Sequence, residues 1–152
     1  MPKRNRAIGK TEESHSIFVD SSAWIALLSG RDQHHDKADR AFRSIIASRR
    51  RMLTTNVVLA EIHRLLLYRA GIRAAATALE KIEASPLVVI KFPDSTHHAS
   101  AKAWIKKLQE HPISYADAVS FSVMEAAGCK QALTYDHHFD IAGFDGLVEV
   151  PD

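Results

Sequence analysis

The chain has 152 residues, of which 46% are hydrophobic and 25% are charged, a composition typical of one globular domain with a buried core. A net charge of +2 does not by itself indicate nucleic-acid binding, and no apolar run reaches the ~18 residues that a transmembrane helix needs. The single cysteine, Cys129, excludes an internal disulfide and a cysteine-rich zinc site.

Residues 1–15 are polar and carry the basic cluster KRNR at positions 3–6. We expect them to form a disordered N-terminal extension, and the folded domain to occupy residues 16–152. This terminus lacks the apolar core of a secretory signal, which together with the single cysteine leads us to expect a reducing, cytoplasmic environment.

From residue 16 onward, short apolar runs typical of strands alternate with amphipathic helical patterns. In chain order, the predicted elements are a strand at 16–20, helices at 21–30 and 32–50, a strand at 52–55, helices at 56–71 and 72–85, a strand at 87–92, helices at 94–111 and 114–128, a strand at 131–136 and an edge strand at 147–150. This alternation predicts an α/β fold with a mainly parallel sheet covered on both faces. Such sheets bind ligands at the carboxyl ends of their strands.

Two acidic residues come at the ends of predicted strands. Asp20 ends the first strand, and Asp136 ends the strand QALTYD. Each residue has an ordinary alternative role, because Asp20 could cap the next helix and Asp136 could be a turn residue. Their shared position nevertheless makes both candidates for the functional edge of the sheet.

Two further acidic residues lie within helical patterns. Glu61 has Val57 and Leu65 as helical neighbours, so its carboxylate is costly to bury unless a partner such as Arg64 pairs with it. Asp117 lies near the start of its helix, where the helix dipole alone could favour a negative charge. Both residues could converge with the two strand-end acids.

Convergence of four carboxylates would require compensation of their charge. Two carboxylates about 4 Å apart repel each other by ~4 kcal/mol at an effective dielectric near 20. Either their pKa values rise or a cation lies between them. Oxygen ligands without cysteine suit Mg²⁺ or Mn²⁺, ions that commonly support phosphoester chemistry.

Four stretches in a characteristic order carry a family resemblance: FVDSSAWIALL (18–28), LTTNVVLAEIHRLL (53–66), ISYADAVSFSVMEAAG (113–128) and ALTYDHHFDIAGF (132–144). The chain resembles the PIN-domain ribonucleases, and more narrowly the VapC-type toxins of bacterial and archaeal toxin–antitoxin pairs. The most specific stretch is the last, in which Thr134, Asp136 and Phe139 match the family's T-x-D-x-x-F pattern.

The resemblance implies a three-layer α/β/α fold with a five-stranded sheet and an endoribonuclease that depends on Mg²⁺ or Mn²⁺. It implies that the catalytic residues, which are also the metal ligands, are Asp20, Glu61, Asp117 and Asp136. The auxiliary positions that it suggests are Thr134, Ser22 and Asp140. It further implies an RNA substrate, homodimerisation and inhibition by a small VapB-type antitoxin.

Histidines raise two questions about this interpretation. The family pattern has no histidine ligand beside Asp136, so we expect His137 and His138 to line the rim of the site. The HHD run at 34–36 suggests an HD-type metal phosphohydrolase as an alternative, although the strand–helix alternation argues against that helical scaffold. A second alternative is a non-catalytic RNA-binding module on the PIN fold.

Local arginine clusters are the candidates for holding RNA, since the net charge is small. Arg64 lies one turn from Glu61 and is predicted to contact a phosphate, with a salt bridge to Glu61 as its alternative role. Arg69 and Arg73 are further candidates on the predicted helices. The cluster at 48–51 precedes its strand, which places it at the edge of the sheet opposite the acids.

Overall fold

The computed structural model of the chain describes residues 9–150. The five strands are β1 Ile17–Val19, β2 Met52–Thr55, β3 Val88–Lys91, β4 Gln131–Leu133 and β5 Asp145–Leu147. The helices within the described residues are α1 Lys10–Ser14, α2 Ser21–Leu28, α3 His35–Ala47, α4 Asn56–Ala70, α5 Ile72–Ala84, α6 Ser95–Lys107, α7 Tyr115–Ala127 and α8 His138–Ile141.

The strands form one parallel sheet in the order β3-β2-β1-β4-β5. Phe18 of β1 lies opposite Leu53 of β2 on one side and Ala132 of β4 on the other. All residues of β1 and β2 are buried, because helices cover both faces of the sheet. The prediction of a three-layer fold around a five-stranded parallel sheet is confirmed, and the strand order reverses between β1 and β4.

An aromatic cluster holds the last part of the domain against the sheet. Phe139 of α8 is fully buried and packs at right angles to Phe121 of α7, with ring centroids 5.0 Å apart. Its ring also lies 6.2 Å from that of Phe18 in β1. Burying such a side chain stabilises a fold by about 1.5–3 kcal/mol. The match of Phe139 to the family pattern therefore has a packing basis.

The boundaries of two predicted strands are wrong, and both errors fall after β4. The strand predicted at 131–136 ends at Leu133, and the edge strand predicted at 147–150 is Asp145–Leu147. Between them lies the short helix α8, which was not predicted. The physical reason is that the backbone N–H groups of Tyr135 and Asp136 bond to side-chain hydroxyls at the sheet edge instead of continuing the ladder.

The predicted N-terminal extension is corrected in part. Residues 1–8 lie outside the described residues, but Lys10–Ser14 forms α1 where disorder was expected. Glu13 is buried and forms an ion pair with Lys91 of β3. This pair attaches the segment to the domain, so the folded unit begins before residue 16.

The arginine cluster before β2 lies at the amino edge of the sheet, as predicted. Arg50 donates hydrogen bonds to the carbonyl oxygen of His15, at 2.9 Å, and to the side chain of Gln131 at the start of β4. Arg51 donates to the carbonyl oxygen of Pro86, at 3.1 Å. These arginines join segments that enter the sheet, which is a structural role.

Within residues 9–150, none of the helices has both the length and the apolar character required to cross a bilayer.

Candidate active site

A pocket of about 450 Å³ opens at the carboxyl edge of the sheet, where the strand order reverses. Parallel sheets bind their ligands at such a point because two neighbouring connections leave in opposite directions there. The pocket is lined by the four acidic residues that were predicted to converge, namely Asp20, Glu61, Asp117 and Asp136.

Asp20 lies at the base of this pocket, directly after β1. It occupies the N-cap position of α2, yet its carboxylate makes no capping hydrogen bond. Its Oδ2 instead accepts hydrogen bonds from the hydroxyls of Ser22, at 2.8 Å, and Thr134, at 3.0 Å. The residue is only 3% exposed. Its main contacts are therefore with side chains of the pocket rather than with the helix backbone.

The two hydroxyls also hold the loop that follows β4. The Oγ of Ser22 accepts a hydrogen bond from the backbone N–H of Tyr135, and the Oγ1 of Thr134 accepts one from that of Asp136, both at 3.0 Å. Each hydroxyl thus donates to Asp20 and accepts from the loop. The auxiliary positions predicted for Ser22 and Thr134 lie in direct contact with the acidic cluster.

Glu61 and Asp117 approach the pocket from two helices. Glu61 projects from α4, which starts directly after β2 with Thr55 as its N-cap. Asp117 lies in the first turn of α7, where its backbone N–H donates to the Oγ of Ser114 at 3.0 Å. Both side chains are half-buried.

The four acids perturb one another's protonation. Burial raises the pKa of Glu61 to about 7, with further contributions from the charges of Asp20 and Asp117. Burial also raises the pKa of Asp117 to about 7, assisted by the charges of Asp20 and Asp136. The pKa of Asp20 is raised by its burial, against which its hydroxyl partners act. The cluster is thus a site of concentrated negative charge.

No lysine or arginine among the described residues forms an ion pair with any of these four acids. In particular, the salt bridge between Arg64 and Glu61 that was considered from the sequence is not formed. The four acids and their hydroxyl partners offer oxygen ligands, which suit a hard divalent cation. The residues of the pocket therefore fit the divalent metal ion that the sequence implied.

The two histidines after Asp136 differ from each other. His137 is at the rim, as predicted, with 77% of its side chain exposed. His138 is inside, with 14% exposed, and its Nδ1 lies 3.1 Å from Asp136 Oδ1 and 3.8 Å from Asp117 Oδ2. The prediction that His138 lines the rim is wrong, because helix α8 turns its ring inward. Ligand atoms of Asp136, His137 and His138 lie within 4.8 Å of one another, which adds nitrogen donors beside the carboxylates.

Two other predicted site residues do not line the acidic pocket. The Oδ1 of Asp140 accepts a hydrogen bond from the backbone N–H of Gly146, at 3.0 Å, which ties α8 to β5. Arg64 is exposed and lines a smaller pocket beside Glu61 and Tyr68. A structural role for Asp140 follows from its contact, whereas the phosphate contact of Arg64 stays a prediction.

Arg69 lines the acidic pocket, although the sequence argument gave preference to Arg64. The sequence could have indicated this position, because Leu65 and Arg69 follow Glu61 at i+4 and i+8 and therefore lie on the same face of α4. The pocket wall also includes His34, whose ring stacks on Tyr135 at 4.3 Å, and this contact has no sequence signature.

The protein-family comparison identifies residues 17–145 as a PIN domain. The chain belongs to the PIN-domain family. This PIN domain is 36% identical over 128 residues to the 23S rRNA-specific endonuclease VapC20 of Mycobacterium tuberculosis, a match that covers 84% of this chain and 95% of that protein. The VapC-type resemblance drawn from the sequence is thereby confirmed.

Two solved structures have the same fold as this PIN domain. The crystal structure of Mycobacterium tuberculosis VapC20, described as a sarcin–ricin loop cleaving toxin, matches with a TM-score of 0.77 and 34% identity over 87% of this chain and 98% of that one. FitAcB from Neisseria gonorrhoeae matches with a TM-score of 0.62 and 16% identity over 86% and 96% of the two chains. The second likeness concerns the fold alone.

Replacing Thr134 with valine is expected to lower both activity and stability. The variant leaves the N–H of Asp136 without its acceptor and removes one donor to Asp20. Leaving the buried carboxylate of Asp20 short of a donor costs about 1–3 kcal/mol in the free energy of unfolding, which urea denaturation measures. Thr134→Ser keeps the hydroxyl and is the matched control. Equal cleavage rates for the valine and serine variants would show that the hydroxyl does not position the site.

Proposed function

We propose that this PIN domain is an endoribonuclease that hydrolyses RNA phosphodiester bonds with Mg²⁺ or Mn²⁺ as its cofactor, and that it is the toxin of a type II toxin–antitoxin pair. The observation that carries this proposal is the convergence of four carboxylates in one pocket without a lysine or arginine partner among the described residues. The match to a curated endonuclease over nearly the whole of that protein supports it.

The four acids and their two hydroxyl partners have distinct tasks in this reaction. Asp20, Glu61, Asp117 and Asp136 would hold the divalent cation directly or through water. When bound, such a cation neutralises negative charge at the phosphate and assists the ionisation of a water. Ser22 and Thr134 hold the Asp20 carboxylate in one orientation through their hydrogen bonds. Since the attacking and leaving oxygens must lie in line with phosphorus, the strand has to enter the pocket in a defined direction.

We propose the sarcin–ricin loop of 23S rRNA as the substrate, by similarity to VapC20. The experiment is to incubate purified ribosomes with the protein and to map the cut by primer extension. One cut within that loop is the expected result, and it should be absent with Asp20→Asn. A cut at other sites in 23S rRNA, or in transfer RNA alone, would refute this substrate and leave the endonuclease proposal standing.

We also propose that the protein is a cytoplasmic homodimer that is inhibited by a VapB-type antitoxin. Large apolar side chains are exposed around the junction of α4 and α5, including Tyr68 at 81% and Ile72 at 77%. Contiguous exposed apolar residues often mark a surface that another chain covers. Light scattering of the purified protein tests the dimer, and inspection of the neighbouring reading frame tests the antitoxin.

Adding several millimolar Mg²⁺ or Mn²⁺ is expected to raise the melting temperature. The ion binds the clustered carboxylates of the folded state and has little affinity for the same groups dispersed along the unfolded chain. Glu61→Gln should make this shift smaller, whereas Glu83→Gln, an exposed change on α5, should leave it unaltered. Thermal melts with and without metal make the measurement. A wild-type melting curve that does not respond to either ion would count against the site.

The two alternative functions lead to different observations. In the HD-type hypothesis the HHD run would bind metal, but His35 Nδ1 is hydrogen-bonded to the carbonyl oxygen of Ala26, at 2.8 Å, and His34 stacks on Tyr135. These contacts and the parallel sheet do not support that hypothesis. A non-catalytic module would retain RNA binding without cleavage at saturating Mn²⁺, and the complete acidic set argues against it.

A further inference from the structure

A second and larger groove, of about 870 Å³, adjoins the acidic pocket. Its walls are the connection between α2 and α3 on one side and the helices α4 and α5 on the other. Asp32, Gln33 and Arg69 line both the groove and the acidic pocket. The two cavities are therefore continuous, and Arg69 lies at their junction.

The groove is basic. Its cationic side chains are Arg31, Arg69, Arg73 and Lys81. All four are exposed, and none forms an ion pair or hydrogen bond with another described residue. Elsewhere, Arg43 and Lys91 have acidic partners at Asp39 and Glu13. No ion pair among the described residues therefore neutralises these four cations.

One carboxylate, Asp32, lies among the described residues that line the groove, and its Oδ1 accepts a hydrogen bond from the backbone N–H of His34, at 2.9 Å. The wall between the cations is formed by small residues such as Ala70, Ala74 and Ala78. Short side chains leave room for a ligand backbone to approach the helices. The groove combines free positive charge with open space.

The spacing of the cations indicates the shape of the ligand. Arg73 and Lys81 are eight residues apart on α5, which corresponds to about 12 Å along the helix axis. A linear polyanion could contact the cations in succession.

We propose that this groove binds the single-stranded RNA segment that flanks the scissile phosphate. Arg69 contacts the phosphate next to the acidic pocket, and Arg31, Arg73 and Lys81 contact phosphates further along the strand. The inference rests on the proposed function and extends it, because it assigns the path by which the substrate reaches the carboxylates. Asp20 is deeply buried, so the scissile phosphate has to enter the pocket to approach it. An unpaired strand can extend a phosphate into the pocket more readily than a duplex can.

The test compares two triple variants, both in an Asp20→Asn background that prevents cleavage. One combines Arg31→Ala, Arg73→Ala and Lys81→Ala. The control combines Lys102→Ala, Lys106→Ala and Lys130→Ala, which also removes three exposed positive charges but none from the groove. Arg69 is left intact because it lines the acidic pocket as well. The probe is a fluorescent stem–loop RNA with the sarcin–ricin sequence, and its affinity is measured over a range of salt concentrations.

The groove variant should bind the RNA about tenfold or more weakly than the control at low salt, and its log–log salt slope should flatten by about two units, near 0.7 per lost single-strand contact. Equal affinities and slopes for the two variants would overturn the proposal. That result is expected if the groove binds an acidic protein segment instead of RNA. Cleavage by the unmutated protein tests the proposed function separately, so failure of one proposal is distinguishable from failure of the other.

Discussion

Asp20→Asn is expected to abolish RNA cleavage without unfolding the chain. The substitution keeps the size of a side chain that is almost fully buried at the junction of β1 and β4. It removes the charge that the divalent cation needs, while the hydroxyls of Ser22 and Thr134 can rotate to accept hydrogen bonds from the new amide. Loss of such a group lowers catalytic rates by about a hundredfold or more. The measurement is the single-turnover cleavage rate in Mg²⁺.

The stability of the same variant provides a second measurement. Without metal, one of four clustered negative charges is gone, so the free energy of unfolding should equal or exceed that of the wild type. Asp36→Asn is the control, because Asp36 is exposed in the first turn of α3 and does not line the acidic pocket. Full activity of that control would also argue against the HD-type hypothesis. Cleavage by Asp20→Asn at the wild-type rate would contradict the proposed site.

In the absence of divalent cations, the protein is expected to be less stable at pH 8 than at pH 5. Glu61 and Asp117 have ordinary pKa values of 4.5 and 3.8, and burial beside other acids raises both to about 7 in the folded state. At pH values between the ordinary pKa values and about 7, the folded protein binds more protons than the unfolded chain. The free energy of unfolding therefore falls as the pH rises, and the full penalty is present above about pH 7.

The two carboxyls interact with each other and are partly exposed, so solvent screening reduces the penalty to about 1–3 kcal/mol. For a chain of this length that corresponds to a melting temperature several degrees lower at pH 8. The double variant Glu61→Gln and Asp117→Asn should lose most of this pH dependence, and added Mg²⁺ should reduce it in the wild type. A wild-type stability that rises from pH 5 to pH 8 in EDTA, with the double variant behaving identically, would contradict the assignment.

The acidic pocket was predictable because its residues obey simple geometric rules. Asp20 and Asp136 follow apolar strands, and the carboxyl ends of parallel strands share one edge. Glu61 was conspicuous as a charge within an apolar helical pattern. These rules placed all four acids correctly at the pocket, although they assigned Asp136 to a strand that in fact ends at Leu133.

Residues whose placement depends on short or irregular segments were not predictable. Helix α8 has four residues, which is too short for a periodic pattern to reveal, so nothing indicated that His138 points inward while His137 points outward. The basic groove combines Arg31 from a loop with Arg73 and Lys81 from α5, and the packing of α4 against both α2 and α5 brings them together. Charge that is assembled from distant segments leaves no local motif.

The hydrogen bond between Thr134 and Asp20 joins residues that are 114 positions apart in the chain. During synthesis, a growing chain carries Asp20 early but lacks both Thr134 and Asp136 until most of it has been translated. The acidic pocket consequently cannot assemble on a chain that ends before Asp136, because β4 must first insert beside β1. For an enzyme proposed to cut ribosomal RNA, this order means that a ribosome must synthesise the chain beyond β4 before the proposed site can form.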